Sequence, residues 1–176
     1  SSGSKVYAIP GGQFFGLEID GQSFVYVVDC SGSMSGAPFR RAQDEIMRSV
    51  ASLTTDQSFF VVFFSNDELP MFSPSVTSTL MPATPTNIDR LRKWVQGMQS
   101  DGGTNPMTAL HRALQLRPDA VYLLTDGELE GDVMSLVTNS NPSGVRINTV
   151  CFMNRGGEAL LKQIAGKTGG VHLFVP

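Results

Sequence analysis

Along this chain, continuous apolar runs alternate with stripes of apolar residues at helical spacing. Phe24–Val28, Phe59–Phe64, Ala120–Leu124, Ile147–Phe152 and Val171–Val175 read as strands. Most are apolar throughout rather than at every second position, the mark of parallel strands covered on both faces. Ile147–Phe152 is less uniform, with Asn148 and Thr149 inside it. Between the runs, Phe39, Ala42, Ile46, Val50 and Leu53 form one helical stripe, as do Ile88, Leu91, Trp94, Val95 and Met98. Met107, Leu110, Ala113 and Leu114 form another, and shorter patterns cover Val133–Val137 and Leu160–Ala165. Such alternation predicts βαβ units and a parallel sheet.

Three boundaries carry local signals. Asn105-Pro106 predicts a helix start, with Asn as the cap and Pro in the first helical position. Asp20-Gly21, between Phe14–Ile19 and Gln22–Val28, is a hairpin dipeptide. Any such hairpin must be short, because the second run should be a central strand with both edges taken. Glu68–Phe72, after a turn at Ser65-Asn66-Asp67, reads as a short antiparallel edge strand, and the Pro-, Ser- and Thr-rich Ser73–Thr86 as a surface loop.

The chain has 176 residues, the length of one ordinary domain. A domain of that size buries roughly 70% of the surface its unfolded chain exposes, so it needs no disulfide staple. A net charge of −3 offers no basic surface for nucleic acid and no polybasic patch for a membrane. No apolar run approaches the ~20 residues of a spanning helix, so direct membrane insertion is not expected. The chain carries no signal peptide and no initiator Met, and is expected to be a piece of a larger protein whose compartment it does not reveal. Residues 1–13, opening with Ser1-Ser2-Gly3-Ser4, read as an N-terminal extension, either a tag or a disordered end. Residues 14–176 read as the domain, expected to be monomeric in isolation.

The candidate chemistry sits at strand ends. Asp29-Cys30-Ser31-Gly32-Ser33 follows the run Phe24–Val28. It places a carboxylate and two hydroxyls at the carboxyl end of a buried strand, where open α/β sheets bind ligands. Gly102-Gly103-Thr104-Asn105 offers a hydroxyl just before a helix, and Leu123-Leu124-Thr125-Asp126-Gly127 a second carboxylate at the end of another run. Oxygen donors at this spacing suit a hard cation such as Mg²⁺. Each piece alone has a plainer reading: Asp29, Ser31 and Ser33 as a capping loop, Thr104 as a cap, Asp126-Gly127 as a turn.

Together the three pieces resemble the metal ion-dependent adhesion site of von Willebrand factor A-like domains, a family that includes the inserted domains of integrins. Asp29, Ser31, Ser33, Thr104 and Asp126 match its liganding positions in order. The resemblance implies a doubly wound, Rossmann-like, mostly parallel sheet with one short antiparallel edge strand and helices on both faces. It implies Mg²⁺ or Mn²⁺, with Ca²⁺ less suited, held by those residues. It also implies a protein partner whose Asp or Glu takes the open coordination position. In the family's strand order Cys30 and Cys151 lie on strands separated by a third. That is roughly 10 Å apart at ~4.8 Å per strand, so both are expected to be free thiols.

Two rival readings belong to other classes. A metal-dependent hydrolase needs a general base or nucleophile near the ion. His111 and His172 have no acid or Cys at ligand spacing and read as structural or surface residues, and Cys30 has no His to activate it. A metal-free scaffold inside a larger assembly is the second rival. Trp94 falls on an apolar stripe and reads as core. Asp101, Glu128, Glu130 and Asp132 read as a solvated acidic rim that attracts a cation and repels an acidic partner until the ion is in place.

Overall fold

The computed structural model describes residues 13–17 and 21–176. Its strands are β1 Ser23–Asp29, β2 Ser58–Phe64, β3 Glu68–Pro70, β4 Met81–Pro82, β5 Ala120–Thr125, β6 Arg146–Phe152 and β7 His172–Val175. Its helices are α1 Ala37–Ala51, α2 Pro85–Gln96, α3 Met107–Gln115, α4 Val133–Asn139 and α5 Glu158–Thr168. The strands form one sheet in the order β3-β2-β1-β5-β6-β7, with β4 also on β2. All neighbours are parallel except β3 and β4, which run antiparallel to β2. This is the mostly parallel sheet that the alternation predicts, in the doubly wound arrangement that the resemblance implies. β1 pairs with β2 on one edge and β5 on the other, so its run from Phe24 to Val28 has no solvent face and is wholly buried.

The register sorts side chains between two layers. Phe63, which pairs with Val28, meets Phe39 of α1 and Trp94 of α2 at ring-centroid distances of 5.6 Å, so α1 and α2 cover that face. Tyr26 shares the face and bonds its hydroxyl to Ser49 of α1 at 2.7 Å. On the opposite face Arg112 of α3 pairs with Glu68, and Thr149 donates to the Leu161 carbonyl of α5 at 3.0 Å. The polar residues inside β6 thus have assigned work. Asn148 accepts the Val171 N–H at 2.8 Å, and Thr149 also bonds His172 Nδ1 at 2.9 Å, tying β7 and α5 to the sheet.

Three expectations are adjusted. Ser73–Thr86 is not all loop: Met81 pairs with Phe59, where the short β3 leaves the outer edge of β2 open, and Thr84 caps α2 by accepting the Asn87 N–H at 3.3 Å. The edge strand expected over Glu68–Phe72 ends at Pro70: Met71 still donates its N–H to the Val61 carbonyl at 2.8 Å, but the Val61 N–H turns to Met71 Sδ at 3.4 Å instead of a backbone carbonyl. The N-cap of α3 is Pro106 rather than Asn105, so the helix begins one residue later than expected, although Asn105 still accepts the Met107 N–H at 3.1 Å. The Asp20-Gly21 hairpin falls partly on residues 18–20, outside the described residues. Phe14 and Leu17 bond each other in a tight turn. That turn seals the α1 face over β5 and β6: Phe14 is fully buried, edge-on to Tyr26 at 5.4 Å and Tyr122 at 5.1 Å, and Phe15 lies 5.5 Å from Phe152.

Cys30 and Cys151 are buried and unbridged. Cys30 directly follows β1 and Cys151 lies in β6, with β5 between, as the strand order requires. No helix among the described residues is long and apolar enough to cross a membrane.

Candidate metal centre

The carboxyl ends of β1 and β5 lie side by side, which places Asp29 next to the Thr125-Asp126 pair. Asp29 is fully buried. One carboxylate oxygen accepts the Ser31 N–H at 2.7 Å and the other accepts the Thr125 hydroxyl at 2.7 Å. The first bond folds the chain back over Asp29. Ser31 Oγ and Ser33 Oγ are 3.0 Å apart, and Ser33 Oγ donates to Asp126 Oδ1 at 3.0 Å. Asp29, Ser31, Ser33 and Asp126 therefore form one hydrogen-bonded chain across two strand ends. Burial raises the Asp29 carboxyl above its ordinary value; hydrogen bonds from Ser31 and Thr125 oppose this, and the charge of Asp126 adds to it.

Thr104 stands on the flanking loop. Its hydroxyl donates to the Glu128 carbonyl at 2.9 Å, in the segment just after Asp126. Ser33 and Thr104 thus turn their protons toward acceptors on the β5 side, leaving oxygen lone pairs free for an ion. Among the described residues no trio of His, Cys, Asp or Glu converges as a metal-holding group. The candidate set differs in kind, since three of its oxygens are hydroxyls.

The supporting loops leave little space. Gly32 N–H donates to the Gly102 carbonyl at 3.0 Å, and Asp101 N–H to the Cys30 carbonyl at 2.8 Å, joining the first two pieces of the motif. A Cβ at Gly157, where α5 begins, would lie 2.2 Å from the Gly127 carbonyl oxygen, so α5 abuts the turn that follows Asp126.

Thr125 is the site residue that the sequence reading missed. Its only signal was a lone hydroxyl ending an otherwise apolar run. The acidic rim is less uniform than expected. Glu128 is exposed, but Asp132 caps α4 through Ser135, accepting its N–H at 3.0 Å and its hydroxyl at 2.8 Å. Glu130 accepts the Thr104 N–H at 3.3 Å. His172 is engaged by Thr149 and by Glu158, and His111 is exposed on α3.

Human inter-alpha-trypsin inhibitor heavy chain H4 is 29% identical over 146 residues, covering 76% of this chain and 14% of that protein. The bovine heavy chain H3 is 29% identical over 126 residues, 64% of this chain and 14% of that one. The chain therefore spans about one-seventh of the length of these relatives. Among solved structures, a von Willebrand factor type A protein from Catenulispora acidiphila superposes with a TM-score of 0.78 at 19% identity, over 90% of this chain and 39% of that one. Proximal thread matrix protein 1 from the mussel byssus, solved with a zinc-occupied MIDAS motif, superposes with a TM-score of 0.66 at 17% identity, over 86% of this chain and 41% of that one. These likenesses concern the fold. The family model for the von Willebrand factor type A domain matches residues 24–176, from β1 through β7, and the chain belongs to that family.

Proposed function

We propose that this domain binds a protein partner through a divalent cation, Mg²⁺ or Mn²⁺, held by Asp29, Ser31, Ser33, Thr104 and Asp126. The observation that carries the reading is the hydrogen-bonded chain from Asp29 through the two serines to Asp126, at the carboxyl end of the sheet. Five oxygens, three of them neutral hydroxyls, leave an octahedral ion short of a full ligand set. Mg²⁺ keeps several waters when bound, so one position is open to a partner's Asp or Glu. The family membership and the zinc-occupied motif of the mussel protein support a divalent ion at this place.

The chemistry favours binding over turnover. Asp29 is committed to Ser31 and Thr125, and His172 to Thr149 and Glu158, so neither is placed as a general base. We read the domain as a non-enzymatic interaction module, monomeric in isolation.

Titration calorimetry with Mg²⁺ and Mn²⁺ should give one site per chain. Capture of partners from the native host should fail when a chelator is present, and changing the partner's acid to its amide should abolish binding. Partners recovered equally well with and without chelator would place the binding surface elsewhere.

A further inference from the structure

The loop that carries Thr104 is fastened along its whole backbone. Every N–H from Asp101 to Asn105 is engaged. Asp101 N–H donates to the Cys30 carbonyl at 2.8 Å and Gly102 N–H to Asp101 Oδ1 at 2.8 Å. Gly103 N–H donates to Asn66 Oδ1 at 2.8 Å, Thr104 N–H to Glu130 Oε1 at 3.3 Å, and Asn105 N–H to the Ser65 carbonyl at 2.8 Å. Glu130 closes a second bond in return, its N–H donating to the Thr104 carbonyl at 2.9 Å.

Two of these fastenings are side chains from other loops, and they flank one glycine. A Cβ at Gly103 would lie 2.8 Å from Asn66 Oδ1 and 2.9 Å from Glu130 Oε1. Both oxygens occupy the space that a side chain at Gly103 would fill. Gly102, at a φ of +83°, turns the backbone into the left-handed region just before this point. Asn66 and Glu130 are exposed, so neither is held in place by the core.

We infer that Asn66 and Glu130 are positioning residues that clamp the Thr104 loop and thereby set the site's preference for a small cation over a larger one. The inference rests on the metal-binding reading above. Mg²⁺ demands near-octahedral oxygens at ~2.0–2.1 Å, whereas Ca²⁺ accepts looser geometry at ~2.3–2.6 Å. A Thr104 hydroxyl pinned through its own and its neighbour's N–H cannot move outward to suit the larger ion. Release of the clamp frees that movement. Mg²⁺ then loses an ordered ligand, while Ca²⁺ loses less.

The experiment compares the wild type with Asn66→Ala, Glu130→Ala, their double variant and Glu130→Gln. Dissociation constants for Mg²⁺ and Ca²⁺ are measured by calorimetry, and amide exchange of residues 103–105 by NMR in metal-free protein. Groups that orient metal ligands typically change affinity about 10- to 100-fold when removed. We expect the double variant to lose about 10-fold or more in Mg²⁺ affinity, with a smaller loss for Ca²⁺, so that the ratio of the two falls. Glu130→Gln keeps an acceptor oxygen and loses the same charge as Glu130→Ala. It should hold the wild-type ratio within about threefold, since it loses only exposed, screened charge. In metal-free protein the Gly103 and Thr104 amides should be protected in the wild type and lose protection in the double variant. A double variant with unchanged Mg²⁺ affinity and an unchanged ratio would overturn the clamp while leaving the metal site standing. So would rapid exchange of both amides in the wild type. A wild type that binds neither cation, with both amides protected, would instead overturn the metal reading and the selectivity built on it.

Discussion

Asp29 offers a clean separation of folding from binding, because its two oxygens serve two buried donors. Asp29→Ala and Asp29→Asn both remove the buried charge, so they share whatever relief that brings. They differ in the bonds that survive. With Ala, the Ser31 N–H and the Thr125 hydroxyl lose their acceptor. Each buried donor left unsatisfied costs about 1–3 kcal/mol. Thr125 has a weak alternative in the Gly127 carbonyl at 3.5 Å, which trims the upper end. The introduced amide of Asn can accept from Ser31 through its oxygen and donate to Thr125 through its nitrogen. Asn should therefore exceed Ala in metal-free stability by about 2–5 kcal/mol, or roughly 5–20 °C in Tm for a domain of this size. It should also melt no lower than the wild type in chelator, since it relieves a charge that burial disfavours. With Mg²⁺ at ~100 times its dissociation constant the wild type should gain about 2.7 kcal/mol by mass action, and neither variant should gain. Calorimetric melts with and without Mg²⁺ provide the assay. An Asn variant as unstable as the Ala variant would refute the hydrogen-bond account. An Asn variant that keeps the full Mg²⁺ shift would remove Asp29 from the cation site.

Three further outcomes are expected. Because burial raises the Asp29 carboxyl, the folded protein binds that proton more readily than the unfolded chain. Its contribution to metal-free stability is full below the ordinary carboxylate value and is lost as pH rises through the raised one. Mg²⁺ competes for the ionised form and should reverse that slope in the weakly acidic range; parallel slopes in melts with and without chelator would count against this. Cys30, whose thiol burial pushes up to about 12, and Cys151, also raised by burial, should resist thiol reagents in the native state. Both should titrate after denaturation without reductant, and a bridge between them would contradict the strand order. Phe14→Ala should lose about 3–5 kcal/mol in denaturant unfolding while leaving cation affinity unchanged; a negligible loss would mean that the Phe14–Leu17 turn is not part of the core.

Most of the elements were legible in the chain itself, for a local reason. A buried parallel strand must be apolar at every position, and a helix on a sheet must repeat its apolar face every three or four residues. Phe24–Val28 and the stripe from Phe39 to Leu53 each carry that constraint within a single window. Asp29 and Asp126 stood out as candidate donors because polar groups at the ends of such runs interrupt the pattern, and Ser31, Ser33 and Thr104 joined them through the resemblance to the family's motif. What the tertiary structure alone decided is which distant groups serve those donors. Nothing near Asp29 in sequence says that Thr125 holds its second oxygen, or that Asn66 and Glu130 fasten the backbone around Thr104. Each of those bonds joins loops brought together by the strand order β2-β1-β5. Nor does an apolar Phe14-Phe15 reveal that it packs as a plug over Tyr26 and Tyr122. Met81 gave no strand signal because its pairing depends on an edge that β3 leaves free. Periodicity records whether a residue is buried; which neighbour satisfies it depends on contacts between segments far apart in the chain.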